Sequence, residues 1–366
     1  MLHPRRVNLV IGSPNVGKST LLEALSLVGG FAFEHRKKFM RGLIRYQKPP
    51  QLFHDNCTES PVRVETDRDV CLLGHSAGRK RYQYGVFSQA AYRLLRVQLG
   101  LPLLEARGKA RTAADGLLLD RLYGYLGCAG PLPEPGYFYT ELDRHGVVDR
   151  PGAAGRFLNA PAGWRPGPVR YYQFKRDAGG ALRCPEAVLH PPHGRNLVQV
   201  LEGRAALRHE FTTLFAEHSL RLRVRPDAGC FEVMKELDGL SISYPYSSSG
   251  ETLQRFGFYL AALESNRQSV VLLEEPEAHS YPAYVAQLAE RVTTQPHNQV
   301  FVTTHSPYFF NEVLENLVPY ENRVPELAVF VTYYQDFQTK FRQPSDEEVR
   351  NIRCDNLDVF THMGQL

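Results

Sequence analysis

The chain has 366 residues, 43% of them hydrophobic and 22% charged, which suits one large or two modest globular domains. No apolar run reaches the length of a membrane-spanning helix, and Asn8 makes the opening stretch too short and polar for a secretion signal, so a cytoplasmic protein with no membrane partner is expected. Six scattered cysteines without a CxxC pair indicate neither a zinc cluster nor a disulfide scaffold, while the mild net charge of +4 is uneven, with 16 Lys+Arg against 7 Asp+Glu from Phe31 to Arg111. That basic stretch, with Arg36-Lys37-Lys38 and Arg79-Lys80-Arg81, suits DNA, RNA or another acidic partner, although a solvated basic face is the more usual explanation.

Arg6 to Ile11 is an apolar run that stops at glycine, as a buried parallel strand does. Leu21, Leu22, Leu25 and Val28 then recur at helical spacing, and Gly29-Gly30 offers the left-handed cap that ends such a helix. Residues 31–168, rich in proline and glycine clusters, read as an inserted basic and helical subdomain with loops. One helix is predicted over Ser88 to Gln98, carrying Tyr92 and Leu95, and Gly152 to Gly167 is the segment expected to move most. Regular structure resumes with a strand over Val169 to Phe174, one long amphipathic helix over Asn196 to His218, and strands over Leu220 to Val224 and Cys230 to Met234. A compact series follows: helix Leu253 to Leu263, strand Val270 to Leu273, helix Ala283 to Thr293, strand Val300 to Thr304, helix Pro307 to Leu317 and strand Leu327 to Tyr333. Such alternation predicts a parallel sheet with helices packed on it. The core is therefore expected in residues 1–30 and 169–335, with residues 336–366 as a C-terminal extension.

Four motifs carry chemistry. Gly12-Ser13-Pro14-Asn15-Val16-Gly17-Lys18-Ser19, followed by Thr20, is a full GxxxxGK[ST] pattern between a strand and a helix. Its glycines let backbone amides face a polyphosphate, Lys18 reaches the terminal phosphates, and the Ser19 hydroxyl suits magnesium. Val270 to Glu277 is an apolar strand ending in consecutive carboxylates; Glu274 would assist the metal and Glu275 would polarise an attacking water, unless both merely favour a helix dipole. Ser247-Ser248-Ser249-Gly250-Glu251 precedes a helix and forms either a second anion site or a plain capping box of Ser248 with Glu251. Thr303-Thr304-His305-Ser306-Pro307 delivers a histidine at a strand end, in reach of a terminal phosphate if the strands are adjacent. In open parallel sheets such carboxyl ends are where ligands bind.

On these residues the chain resembles the ABC-type ATPase heads of the SMC, RecF and OLD-like group, bacterial AAA-family ATPases. Gly12 to Thr20 matches Walker A, Ser247 to Glu251 the LSGGQ-type signature, Leu272 to Glu277 Walker B, and His305 the switch histidine; Glu274 to Pro282 (EEPEAHSYP) is similar to the EEPEAHLHP of OLD-like ATPases. The resemblance implies an α/β P-loop NTPase fold, an ABC-ATPase-like parallel or mixed sheet flanked by helices with a large insertion between Walker A and the signature. It also implies ATP and Mg2+ as ligands, Ser19 and Glu274 at the metal, and Lys18, Glu275 and His305 as catalytic residues. Two copies would close around ATP, with Ser248, Gly250 and Glu251 of one clamping the phosphate held by the other. Such heads serve bacterial defence or DNA repair with nucleic acid or a separate effector protein. Serines replace the usual Leu and central Gly of the signature, and the Q-loop glutamine has three candidates, Gln47, Gln51 and Gln83.

Three alternatives compete. A transporter ATPase subunit usually has aspartate in place of Glu274 and little insertion. A small GTPase shares the Pro14 to Ser19 loop, but no NKxD occurs in this chain. A non-hydrolysing nucleotide switch does not need Glu275.

Overall fold

Val7 to Gly12 form strand β1, buried along its whole length, and a tight loop leads from it into helix α1 (Lys18–Gly29). The computed structural model describes residues 2–29, 38–101, 109–128, 136–148, 168–176, 188–225, 229–355 and 359–360. The chain divides into two units, Met1–Leu22 with Arg170–Leu366, and Glu23–Val169.

The second unit is more regular than its composition suggests. Strands β2 (Val62–Glu65), β3 (Asp69–Ser76) and β4 (Arg81–Ser88) are followed by helices α2 (Gln89–Gln98) and α3 (Lys109–Cys128) and by strand β5 (Tyr137–Leu142). The four strands pair antiparallel in the order β2-β3-β4-β5. Helix α2 begins where expected, with the Ser88 hydroxyl accepting the Ala91 N–H. The two eight-residue strands β3 and β4 carry no clean alternation because both faces are buried: Val70, Leu72 and Phe87 pack with Leu95, Leu118 and Leu122, while Cys71 and the Tyr84 hydroxyl reach the Leu27 carbonyl. The piece Gly152 to Gly167 lies outside the described residues.

The first unit resumes with β6 (Val169–Tyr172), α4 (Leu197–Gly203) and α5 (Ala205–Ala216). The single long helix expected over Asn196 to His218 is therefore broken. Arg204 is extended (φ −131°, ψ 98°) and its guanidinium donates to the Glu264 and Ser265 carbonyls, a partner set that a continuous helix after the weak former Gly203 would forgo. Strands β7 (Arg221–Arg225), β8 (Cys230–Leu237) and β9 (Leu240–Pro245) form an antiparallel three-stranded sheet whose last strand is exposed throughout. Then come α6 (Glu251–Ser265), β10 (Val270–Glu274), α7 (Pro282–Thr294), β11 (Gln299–Thr303), α8 (Pro307–Leu317), β12 (Leu327–Gln335), β13 (Gln338–Arg342) and α9 (Asp346–Cys354).

Six strands make the main sheet, in the order β13-β12-β1-β11-β10-β6. Strands β12, β1, β11 and β10 are parallel; β13 is an antiparallel edge, so residues after 335 supply part of the sheet as well as α9. In register, Val10 lies opposite Thr303 and Thr303 opposite Glu274, which brings three carboxyl ends to one line. Apolar strands need cover on both faces, and α6, with Leu253, Phe256, Tyr259, Leu260 and Leu263 all buried, supplies much of it. Asn8, the polar residue inside β1, is satisfied by the Arg5 backbone and the Val300 carbonyl. Among the described residues no helix is long and apolar enough to cross a membrane.

Phe211 on α5 is 1% exposed, and its ring fills the space where a side chain on Gly257 would stand, 2.9 Å from an added Cβ. Phe211→Ala is expected to lower the unfolding free energy by about 3–5 kcal/mol, read as a lower urea midpoint. An unchanged midpoint would place Phe211 outside the core.

Candidate functional site

The loop from Gly12 to Ser19 is shaped by two glycines that no other residue could replace without strain. Gly12 (φ +155°) would put a Cβ 2.4 Å from the Thr332 carbonyl oxygen, and Gly17 (φ +99°) would put one 2.2 Å from Thr339 Oγ1. Asn15 between them is left-handed at φ +61°, a conformation asparagine tolerates. Thr339 of β13 closes the loop from outside, its hydroxyl donating to the Val16 carbonyl at 2.9 Å. Lys18 opens α1 but folds back, Nζ donating to the Gly12 and Ser13 carbonyls at 2.8 and 2.7 Å. Ser13 and Pro14 complete the loop, and Ser19 and Thr20 lie in the first turn of α1, a helix start of the kind that suits an anion.

Burial pulls the Lys18 ammonium down to about 8, and the Glu275 charge opposes that shift. Burial also lowers His305, the Lys18 charge lowers it further, and Glu275 works the other way. These three side chains thus share one electrostatic environment. His305 Nε2 lies 3.2 Å from Glu275 Oε1. Glu275 is itself left-handed, φ +42°, pinned by its N–H on the Thr303 carbonyl at 3.0 Å. Such a conformation is costly for a residue with a Cβ and concentrates at functional sites.

The neighbouring carboxylates have different surroundings. Glu274 is 7% exposed; one oxygen accepts the Gln173 amide at 2.6 Å and the Tyr171 hydroxyl. Glu277, also 7% exposed, accepts Thr304 Oγ1 at 2.5 Å and the His305 N–H at 3.2 Å, while its second oxygen is buried without a partner. Burial raises its pKa against those hydrogen bonds. Glu277 thereby fixes the backbone that presents His305. A cavity of about 320 Å³ opens between Glu275, Glu277, His305 and Tyr308, ample for ordered water.

Gln173, which the sequence reading did not single out, is the glutamine whose amide reaches Glu274. Of the three glutamines named from the sequence, all in the second unit, Gln83 is buried on the Leu119 carbonyl and the Tyr139 hydroxyl, Gln51 caps Gln47 and Lys48, and the Gln47 carbonyl accepts Lys38. Gln173 follows β6, the strand next to β10. The signal was present in the strand predicted over Val169 to Phe174, since a glutamine at a carboxyl end next to an acidic strand tip is placed to touch it.

The serine-rich turn does not cap its helix as a capping box would. Gly250, not Ser248, is the N-cap of α6, with no side-chain cap bond, and Glu251 pairs with Arg255 at 3.1 Å. Ser249 turns inward to the Tyr246 carbonyl, leaving Ser248 and Gly250 exposed. In the second unit, the basic triplet Arg79-Lys80-Arg81 is partly spent internally, with Arg79 on Glu141 at 2.6 Å; Arg36 and Lys37 lie outside the described residues.

A magnesium ion fits the donor set of Ser19 and Glu274, a hydroxyl and a carboxylate steered by Gln173 and Tyr171, because Mg2+ is commonly held by one or two protein oxygens plus water and phosphate.

Residues 185–311 match the family model described as "AAA domain, putative AbiEii toxin, Type IV TA system". No curated protein matches the chain. Among solved structures, the Smc head bound to the C-winged helix domain of ScpA is 14% identical, covering 93% of this chain and 91% of that one at a TM-score of 0.43. A Smc head with an extended coiled coil, bound to the C-terminal domain of ScpA and derived from Pyrococcus furiosus, is 12% identical over 95% and 92% at 0.43, and the SMC head domain from Thermotoga maritima 10% identical over 93% and 90% at 0.33.

A polyphosphate favours charged Lys18, whose pKa in the free protein is about 8. Affinity for ATP is therefore expected to be full below pH 8 and to fall by up to about tenfold per pH unit above it, as each binding event must then take up a proton. Titration calorimetry between pH 7 and 9.5 reads this directly; a flat profile contradicts it.

Proposed function

We propose that this chain, an ABC/SMC-like ATPase head, binds ATP with Mg2+ on residues 12–20 and hydrolyses it between two copies of itself. The observation that carries the reading is the placement of Lys18, Glu275 and His305 in one field at one end of the sheet, with His305 and Glu275 3.2 Å apart. The backbone amides after Gly12 and at the start of α1 hold the phosphates. Lys18 exchanges the Gly12 and Ser13 carbonyls for phosphate oxygens. Ser19 and Glu274 would hold a magnesium ion, which when bound would supply positive charge to the phosphoryl oxygens. The Glu275 carboxylate accepts a proton from the attacking water, and His305, steadied by Glu277, hydrogen-bonds the terminal phosphate and that water.

Exposure of Ser248 and Gly250 supports the dimeric part of the reading: a turn facing solvent, ahead of a helix N-terminus, can meet phosphate held by a second copy, with Glu251 beside it. ATP then acts as interface glue and hydrolysis releases it. The matched family description, with its "Type IV TA system", supports a defence-type role in which opening and closing controls a separate effector protein. The positive balance of residues 31–111 is the surface offered to that effector or to nucleic acid.

Glu275→Gln is expected to lower kcat for ATP hydrolysis at least about 100-fold while keeping ATP affinity, and to accumulate an ATP-bound dimer by light scattering. Hydrolysis at the unaltered rate would remove Glu275 from the chemistry, and a monomer at saturating ATP would remove the dimer. Lys18→Ala is expected to abolish measurable ATP binding.

A further inference from the structure

We propose that the β12–β13 hairpin carries the nucleobase subsite, with the Tyr334 ring as the platform on which the base stacks. The inference rests on the ATP-binding reading and specifies where the rest of the nucleotide lies.

The strand order gives the direction. Glu275 and His305 follow β10 and β11, on one side of β1; β12 and β13 lie on the other. A nucleotide seated on the loop after β1 with its terminal phosphate toward Glu275 runs its base end the opposite way, toward β12 and β13. The hairpin already touches the loop, since Thr339 donates to the Val16 carbonyl and fills the space beside Gly17.

The register then selects the residue. Tyr334 pairs with Thr339 across the hairpin, and Tyr333 with Lys340. Directly opposed residues of an antiparallel pair project to the same face, and neighbours along a strand to opposite faces. Tyr334 therefore stands on the face that Thr339 turns to the phosphate loop, and Tyr333 on the other. The Tyr334 side chain is 58% exposed. Beyond it, the two-residue turn is Asp336-Phe337 at φ +53° and +58°, positions that hairpins normally fill with Asn-Gly. Phe337 is 81% exposed there, a bulky ring kept in a strained turn, as ligand-contacting segments keep strain. An exposed aromatic face next to a phosphate loop recognises a nucleobase by its plane.

The test compares ATP with inorganic tripolyphosphate, which has the phosphates without the base, by titration calorimetry with Mg2+. Tyr334→Leu is expected to weaken ATP by about tenfold and to leave tripolyphosphate unchanged, while Tyr334→Phe binds both as the unaltered protein does. Equal affinity of Tyr334→Leu and unaltered protein for ATP, or a parallel loss of tripolyphosphate, overturns the base subsite. Lys18→Ala serves as the separate arm: it should weaken both ligands, and if it weakens neither, the ATP-binding reading itself fails.

Discussion

Everything at the site depends on the parallel register of β1, β11 and β10. Val10, Thr303 and Glu274 lie on one line across the sheet, and two further backbone bonds, Thr304 N–H to Val10 and Glu275 N–H to Thr303, carry that line one step past the strands. Side chains in a strand alternate faces, so a slip of one residue would turn Glu274 away from Tyr171 and Gln173 and carry apolar residues out of the core. Burial of β1, β10 and β11 among α6, α7 and α8 makes such a slip costly, and the geometry of the charged residues follows from apolar packing.

That frame tolerates local costs. Lys18 and Glu277 are almost fully buried, Glu275 is held at a positive φ, and one Glu277 oxygen has no partner. Each is unfavourable by itself. Together they surround one place, where Lys18 and Glu275 have opposite effects on His305. A charge arriving there meets groups already oriented, with Glu277 holding the His305 backbone and Gln173 and Tyr171 holding Glu274.

The parts of this arrangement legible in the sequence were those with a simple period or a dense motif. The strands from Val270, Val300 and Leu327 are uniformly apolar, and Pro307 to Leu317 is helical because Ser306 caps it and proline starts it. Strands β3 and β4 stayed hidden because Gly74, Gly85 and buried polar residues such as Gln83 break any alternation, and both faces are buried, part of their cover coming from the more distant α3. The helix break at Arg204 is tertiary in origin, and so is the contact of Thr339 with the P-loop, which joins residues far apart in the chain. Gln173 and Glu277 gained their places only when the neighbouring strand and loop were known.

The shared field at Lys18, Glu275 and His305 can be measured on the imidazole. Titration of His305 by nitrogen-detected NMR, with no nucleotide present, should give a higher pKa in Lys18→Met and a lower one in Glu275→Gln than in the unaltered protein, following the signs of the two charges. If His305 titrates identically in all three proteins, the residues do not face one another and the single-site account is contradicted.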